Sequence, residues 1–277
     1  MVSPQKAWTW QFISVLVITY LSMSALTYAR VCLNSPSELI KDFMNATNIR
    51  RHGVPLPSEK MESLFGLLQA VIGVGAVVGA FTASSVADAF GRKMSIFLAS
   101  SSGACGILLM GIAETVGYYE LLFLGRAIMG LGAGWVFSMA PAYVAEMCRP
   151  SMKAFAVVLN MLFQGSAMVL CQILGYEELM GNEEYWSLLI GLPVVIFAVH
   201  LFLLMFCPES PRYLLMKKFD NEGAKRALQK IRGTDDVQQD IDALHAELKE
   251  SSGKAQVYHG VALYVHVRHN TIWRVVA

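Results

Sequence analysis

Six long apolar runs constrain this chain more than any other feature of its sequence. They cover about residues 8–28, 64–86, 94–112, 119–143, 155–175 and 186–207. Each is close to the roughly 20 residues that a helix needs to cross the hydrocarbon core of a bilayer. Charged residues make up only 16% of the chain, whereas soluble domains have roughly a quarter. Because a backbone in lipid must satisfy its own hydrogen bonds, we predict an all-α membrane protein with six spans.

The first polar segment, residues 30–61, is too charged for lipid. We expect it to be a loop outside the bilayer core. It contains Asn45-Ala46-Thr47, the only acceptor sequence for N-glycosylation in the chain with a permissible middle residue. Asn45 is therefore a candidate glycosylation site.

Lysine and arginine are concentrated in alternate links between the runs, and this asymmetry predicts the orientation. The links at residues 88–93 and 149–153 carry two basic residues each, and residues 217–232 are strongly basic. The links after the third and fifth runs carry glutamates but no lysine or arginine. We expect both chain ends to be cytoplasmic, which places Asn45 outside, and we expect the plasma membrane as the location.

The composition changes abruptly after Cys207. Residues 208–212 read PESPR, and apolar residues then recur at three- and four-residue steps, which is typical of a soluble amphipathic helix. We predict a six-span bundle over residues 1–207 and a cytoplasmic helical region over residues 208–250. Residues 251–277 have too many His and Arg, and too short an apolar run, to span a bilayer.

Several other functions are not favoured by the sequence. The formal net charge is +1 and no basic patch is interleaved with aromatic residues, so nucleic acid is not an expected partner. The five cysteines include no CxxC pair, so neither a disulfide framework nor a metal site is implied. There is no catalytic nucleophile motif and no pair of intramembrane carboxylates. We therefore predict that the protein is not an enzyme and has no cofactor.

A series of short motifs resembles the sugar porter branch of the major facilitator superfamily, and specifically the N-terminal half of a facilitative glucose transporter. The motifs are DAFGRK at residues 88–93, Gly125-Arg126 with the following glycines, PAYVAE at residues 141–146, MGN at residues 180–182 with Trp186, and PESPR at residues 208–212. Their order and spacing match the family over roughly residues 8–250. The resemblance implies one six-span half of a twelve-span fold whose two halves alternately expose a central sugar site. It also makes residues 251–277 a truncated approach to a missing seventh span.

Arg126 lies near the predicted outer end of the fourth run. It can be an interfacial arginine whose head reaches the headgroups, or it can face the interior of the bundle, as intramembrane ionisable residues usually do. In proton-coupled members of the family, a carboxylate on the first span faces this arginine. The matching position here is Ala29, so the resemblance implies facilitated diffusion.

Asn160, Gln164 and Gln172 place three neutral amides broadly on one side of the fifth run. Such amides can join helices by hydrogen bonds, and they can also bind a hexose without the cost of burying charge. The family's sugar-contacting glutamine matches Met161 here, and Gln164, one turn along, is expected to replace it in part. These three amides and Arg126 are the candidates for the substrate pathway.

Charged residues at the predicted cytoplasmic helix ends form a second candidate site, the cytoplasmic charge cluster. Its members are Asp88, Arg92, Lys93, Glu146, Lys153, Glu209 and Arg212. As separate solvated charges they would contribute little. The resemblance implies instead a network of ion pairs that locks the inner side closed in one conformation. The family motifs differ at Ser84, Ala89 and Ala154, which predicts a weaker lock.

Two functional hypotheses stay open. The first is facilitated diffusion of a hexose by alternating access, with this chain as the N-terminal half in a lipid bilayer. A single half cannot enclose a central site, so we expect no hexose uptake by the chain alone. A second half is therefore an expected partner, and self-association of this chain is one way to provide it. The alternative is a non-transporting truncated membrane protein that associates with or regulates a full-length sugar transporter.

Overall fold

The computed structural model describes residues 9–248, and within that range it contains helices and no strand. The helices are α1 (Trp10–Val31), α2 (Ser37–His52), α3 (Ser58–Phe90), α4 (Arg92–Gly111), α5 (Ala113–Val116), α6 (Glu120–Met147), a 3₁₀ turn (Pro150–Met152), α7 (Lys153–Leu174), α8 (Trp186–Gly191), α9 (Pro193–Leu204), α10 (Pro211–Lys217), α11 (Asn221–Arg232) and α12 (residues 238–248). The predicted approach to a seventh span, residues 251–277, lies outside the described residues.

Six helical segments are long and apolar enough to cross a membrane. They are α1, α3, α4, α6, the 3₁₀ turn continued by α7, and α8 continued by α9. Each coincides with one of the six apolar runs, so the prediction of six spans is confirmed. The break between α8 and α9 falls at Pro193, which has no N–H to donate to the preceding turn.

The polar segment at residues 30–61 was expected to be a loop, and this expectation is wrong. Sixteen of its residues form α2, and α3 begins within it at Ser58. Helix α2 buries Ile40, Met44 and Thr47, which recur at four- and three-residue steps. It ends at Gly53, whose φ of 73° lies in the left-handed region that favours glycine. The charged residues of α2 lie on its other, less buried faces.

Helix α6 is the central helix of the bundle because its glycines let α3 and α4 approach closely. A Cβ at Gly130 or Gly134 would collide with the α3 backbone, and a Cβ at Gly132 would collide with the α4 backbone. Gly75 and Gly79 of α3 are equally close to α6. Small residues permit such contacts in lipid, so these glycines have a packing role.

The remaining helices surround this core. Helix α1 packs against α7 on one side and α9 on the other, and α9 also contacts α4. Helix α11 packs beside α10 and reaches the start of α1, where the Thr9 hydroxyl donates to the Ile231 carbonyl. Its buried side chains include Ala224, Leu228 and Ile231, as the three- and four-residue spacing predicted.

Candidate substrate pathway and cytoplasmic charge cluster

Arg126 lies in the second turn of α6 and is fully buried, with 0% exposure. Its Nη2 donates to Gln69 Oε1 of α3 at 2.6 Å, and its Nη1 donates to the carbonyl of Arg30 at the end of α1 at 3.2 Å. Its Nε has no hydrogen-bond partner among residues 9–248. The guanidinium therefore faces the bundle interior and joins three helices, and the interpretation as an interfacial arginine is wrong.

No carboxylate compensates the charge of Arg126 in the part of the chain that the structure describes. Ala29, next to the accepting Arg30 carbonyl, is fully buried. Cys32 follows α1, and burial raises the pKa of its thiol to about 11 although the Arg126 guanidinium opposes the shift. This thiol is neutral near physiological pH, so the buried cation is held only by neutral acceptors.

The amides of α7 meet α1 in a short hydrogen-bonded chain. Thr27 Oγ1 shares its one proton between the Met23 carbonyl at 2.9 Å and Gln164 Oε1 at 3.2 Å, and Gln164 Nε2 donates to Asn160 Oδ1 at 3.2 Å. Gln172 lies further along and accepts from Ser35 Oγ at 3.5 Å, outside the range of a strong bond. The structure thus brings Asn160 and Gln164 together, and Gln172 contacts a different part of the chain.

A small cavity lies beside Asn160, between α1, α6 and α7. It has a volume of about 60 Å³ and is also lined by Tyr20 and Pro141. A cavity needs only about 10–15 Å³ to hold a water molecule. The space is sufficient for water, and in this conformation a hexose would need a larger opening.

Glu209 is the centre of the cytoplasmic charge cluster. Its Oε1 accepts from the backbone N–H groups of Arg92 at 3.0 Å, Lys93 at 3.1 Å and Ser210 at 2.8 Å. The first two groups belong to the first turn of α4, where helix N–H groups have no intrahelical partner. The carboxylate therefore caps α4, and its negative charge also suits the positive end of the helix dipole.

Gly91 makes this cap possible. Its φ is 92°, and a Cβ there would collide with the Glu209 carboxylate and the Tyr213 ring. Burial raises the pKa of Glu209, and the three backbone N–H groups and nearby Lys93 oppose that shift. The glycine of the DAFGRK motif and the glutamate of the PESPR motif are thus in direct contact.

Arg92 connects the cap to the end of α6 and to the end of α3. Its Nε lies 3.4 Å from Glu146 Oε1, and its Nη1 lies 3.4 Å from Asp88 Oδ1. Glu146 also accepts from the Ser210 hydroxyl. Asp88 receives a second cation, Lys217 of α10, at 3.1 Å. These residues form a connected set of ion pairs and hydrogen bonds.

Three members of the cluster are arranged differently from the network that the resemblance implied. Arg212 pairs with Glu247 of α12 at 2.8 Å. The side chain of Lys93 donates to the Met205 carbonyl at 2.7 Å. Lys153 forms none of the ion pairs within residues 9–248, although it lines a cavity of about 180 Å³ with Glu146 and Arg212.

Asn45 lies on α2 and is half-buried. Its Oδ1 accepts from the backbone N–H of Leu56 at 2.9 Å, which ties the link before α3 to α2. Thr47, the third residue of the acceptor sequence, is fully buried, and its hydroxyl has no partner among the described residues.

A family profile decides the classification. The family described as "Sugar (and other) transporter" matches residues 15–276, most of the chain. The chain belongs to this sugar transporter family. With six membrane-length helices, it is a multi-pass membrane protein.

Curated relatives of this family member carry the name "Solute carrier family 2, facilitated glucose transporter member 3". The chicken (Gallus gallus) protein is 37% identical over 222 residues, which are 80% of this chain and 44% of the relative. The human protein of that name is 33% identical over 225 residues, or 81% of this chain and 45% of the relative. The chain spans about half the length of the curated relatives it matches.

Solved structures support the same fold. The structure of the major facilitator superfamily proton:xylose symporter XylE bound to 6-bromo-6-deoxy-D-glucose matches with a TM-score of 0.76 at 20% identity, covering 86% of this chain and 53% of that one. A partially occluded inward-open XylE from E. coli matches with a TM-score of 0.75 at 19% identity, covering 88% of this chain and 59% of that one. The prediction of an all-α half of a major facilitator fold is confirmed.

Some residues of this sugar transporter family member have roles that the sequence did not indicate. Gln69 was one polar residue in an apolar run, and its contact with Arg126 had no local signal. Lys217 and Arg232 were counted only as part of a basic segment. Arg232 pairs with Asp240 at 3.1 Å and donates to the Met147 carbonyl at 3.0 Å, so it joins α11 to the end of α6. Burial lowers the pKa of Arg232, and Asp240 opposes that shift.

Proposed function

We propose that this chain is the N-terminal half of a transporter that moves a hexose across a membrane by facilitated diffusion and alternating access. The names of the curated relatives, "facilitated glucose transporter", support a hexose. The coverage of about half of each relative supports the assignment to one half. In this proposal a second half completes the pathway.

The environment of Arg126 carries the proposal of uncoupled transport. The guanidinium reaches the end of α1 beside Ala29, and its acceptors are an amide and a carbonyl. A carboxylate that alternately pairs with this cation and takes up a proton would need to lie there. Because alanine cannot bind a proton, Arg126 has no proton-binding partner at this position.

The amide chain of α7 is the proposed hexose contact of this half. Gln164 is half-buried, and its amide already bonds to Thr27 and Asn160. Neutral amides offer both donors and acceptors to sugar hydroxyls and carry no charge to desolvate. Gln172 is exposed and lies outside this chain of bonds, and we assign it no primary contact.

The cytoplasmic charge cluster is the proposed inner gate of this half. Its bonds tie the ends of α3, α4 and α6 to the segment at residues 208–212. A set of bonds that exists in one conformation and breaks in another biases a two-state transporter. In this proposal that side faces the cytoplasm, α2 with Asn45 faces outside, and the membrane is the plasma membrane.

The test is flux of radiolabelled glucose into liposomes. The chain is reconstituted alone and together with the separately produced C-terminal half of the chicken relative. We expect saturable D-glucose flux that exceeds L-glucose flux only when both halves are present, with no dependence on a pH gradient. Flux that a proton gradient drives would contradict the uncoupled mechanism, and saturable, stereoselective flux by the chain alone would contradict its role as one half.

A further inference from the structure

Two lysines from different helices meet at the C-terminal end of α9. Lys93 Nζ of α4 donates to the Met205 carbonyl at 2.7 Å, and Lys230 Nζ of α11 donates to the adjacent Phe206 carbonyl at 2.7 Å. The last carbonyls of a helix have no intrahelical partner, and cations suit the negative end of the helix dipole. The two ammonium groups therefore bind adjacent carbonyls at this end of α9.

These ammonium groups have donors left over. Each has three N–H bonds and makes one side-chain hydrogen bond within the described part of the chain. No ion pair between residues 9 and 248 includes either lysine. Burial raises the pKa of the nearby Cys207 thiol to about 11, and the positive charges of Lys93 and Lys230 oppose that shift. The end of α9 thus carries two positive charges that form no ion pair among the described residues, and the carboxylate near them is that of Glu209, which accepts from the Lys93 backbone N–H.

An apolar cavity of about 220 Å³ opens beside this point, between α1, the end of α9 and α11. Val15 and Ile18 of α1 and Ile231 of α11 form its walls, and Lys230 lies at its edge. Next to it, Met205 and Phe206 are 65% and 61% exposed. Because α9 is a membrane-spanning segment, its end lies where lipid headgroups meet water.

We propose that this feature is a binding site for an anionic phospholipid, with the headgroup between Lys93 and Lys230 and part of an acyl chain in the cavity. A basic site at the end of membrane helices is suited to anionic headgroups. A free phosphate would match the two charges but would leave the apolar cavity filled with water. A lipid satisfies both parts, and the exposed Met205 and Phe206 then contact its hydrocarbon chains.

Native mass spectrometry of the purified chain tests the proposal with dioleoyl phosphatidylserine and dioleoyl phosphatidylcholine. We expect preferential retention of phosphatidylserine. Lys230→Gln and Lys93→Gln should each weaken it about fivefold, since one basic residue near an anionic surface contributes on the order of 1 kcal/mol. Lys225→Gln is the matched control, because it removes the same charge from the same helix without touching the cavity. It should leave retention unchanged.

A second variant tests the apolar part. Ser14 is exposed and lines the cavity, so Ser14→Phe fills the space and keeps both lysines. It should reduce phosphatidylserine retention, while soluble glycerophosphoserine and inorganic phosphate should not displace the lipid. Equal retention of both lipids, equal loss in Lys225→Gln, or displacement by phosphate would each overturn the proposal. These measurements need no sugar flux, so they fail or succeed independently of the proposed transport.

Discussion

The carboxylate of Glu209 caps the helix that begins at Arg92, although the two residues are 117 positions apart. This bond joins the segment after the last span to the link between the second and third spans. Because Glu146 bonds to both Arg92 and Ser210, the end of α6 is part of the same structure. A movement of any of these helix ends must break hydrogen bonds to a charged group, which are stronger than neutral ones.

Glu209→Ala should destabilise the chain by about 1–2 kcal/mol, because removing a helix cap typically costs on that scale. The two N–H groups of the first α4 turn would lose their acceptor. Thermal unfolding in detergent measures the effect. Glu222→Ala is the control, since Glu222 is an exposed carboxylate in α11 and caps no membrane helix. Equal losses in the two variants would contradict a capping role for Glu209.

The raised pKa of Glu209 predicts a dependence of stability on pH. A carboxyl whose pKa is higher in the folded state binds more protons there than in the unfolded chain. Its contribution to stability is therefore present below the unfolded pKa, roughly 4.3 for glutamate, and is lost as pH rises through the folded pKa. The stability of the native chain relative to Glu209→Gln should fall as pH rises from about 4 towards neutrality. Melting curves of both proteins at several pH values measure this, and a rising or constant difference would contradict it.

The sequence predicted the spans because each is a local property. An apolar run of the right length needs no knowledge of its neighbours, and the six runs match six helices. Helix α2 was missed because its apolar positions are few and lie among charged residues. Ile40, Met44 and Thr47 form a narrow buried face that a count of charges does not reveal.

The candidate sites were predicted only in part, because their partners come from distant parts of the chain. Arg126 was identified as a buried charge, but Gln69 becomes its partner only because glycines bring α3 and α6 together. Arg212 was expected in the cytoplasmic network, yet its partner is Glu247, on a helix whose position depends on the packing of α11. Such contacts are set by tertiary structure and leave no local pattern.

Gln69→Leu should destabilise the chain by about 1–3 kcal/mol, the usual cost of leaving a buried polar group without its partner. The Arg126 guanidinium would keep only the Arg30 carbonyl among its described acceptors. Gln69→Glu is the matched variant, because it retains the shape and adds a negative charge at the 2.6 Å contact. It should be at least as stable as the native chain. Equal unfolding temperatures for the Leu variant and the native chain would contradict the importance of this contact.

Removal of the Asn45 acceptor sequence in two ways should have different effects on stability. Glycan attachment uses Nδ2 and leaves Oδ1 free to accept from Leu56, so modification would keep this hydrogen bond. Asn45→Ala removes this acceptor and should cost on the order of 1 kcal/mol. Thr47→Val keeps the side-chain shape and removes a buried hydroxyl that has no described partner, so it should cost nothing or stabilise slightly.

Expression in a glycosylating cell tests the modification: glycosidase treatment should shift the gel mobility of the native chain and of neither variant. The absence of a shift in the native chain would contradict an external position for α2.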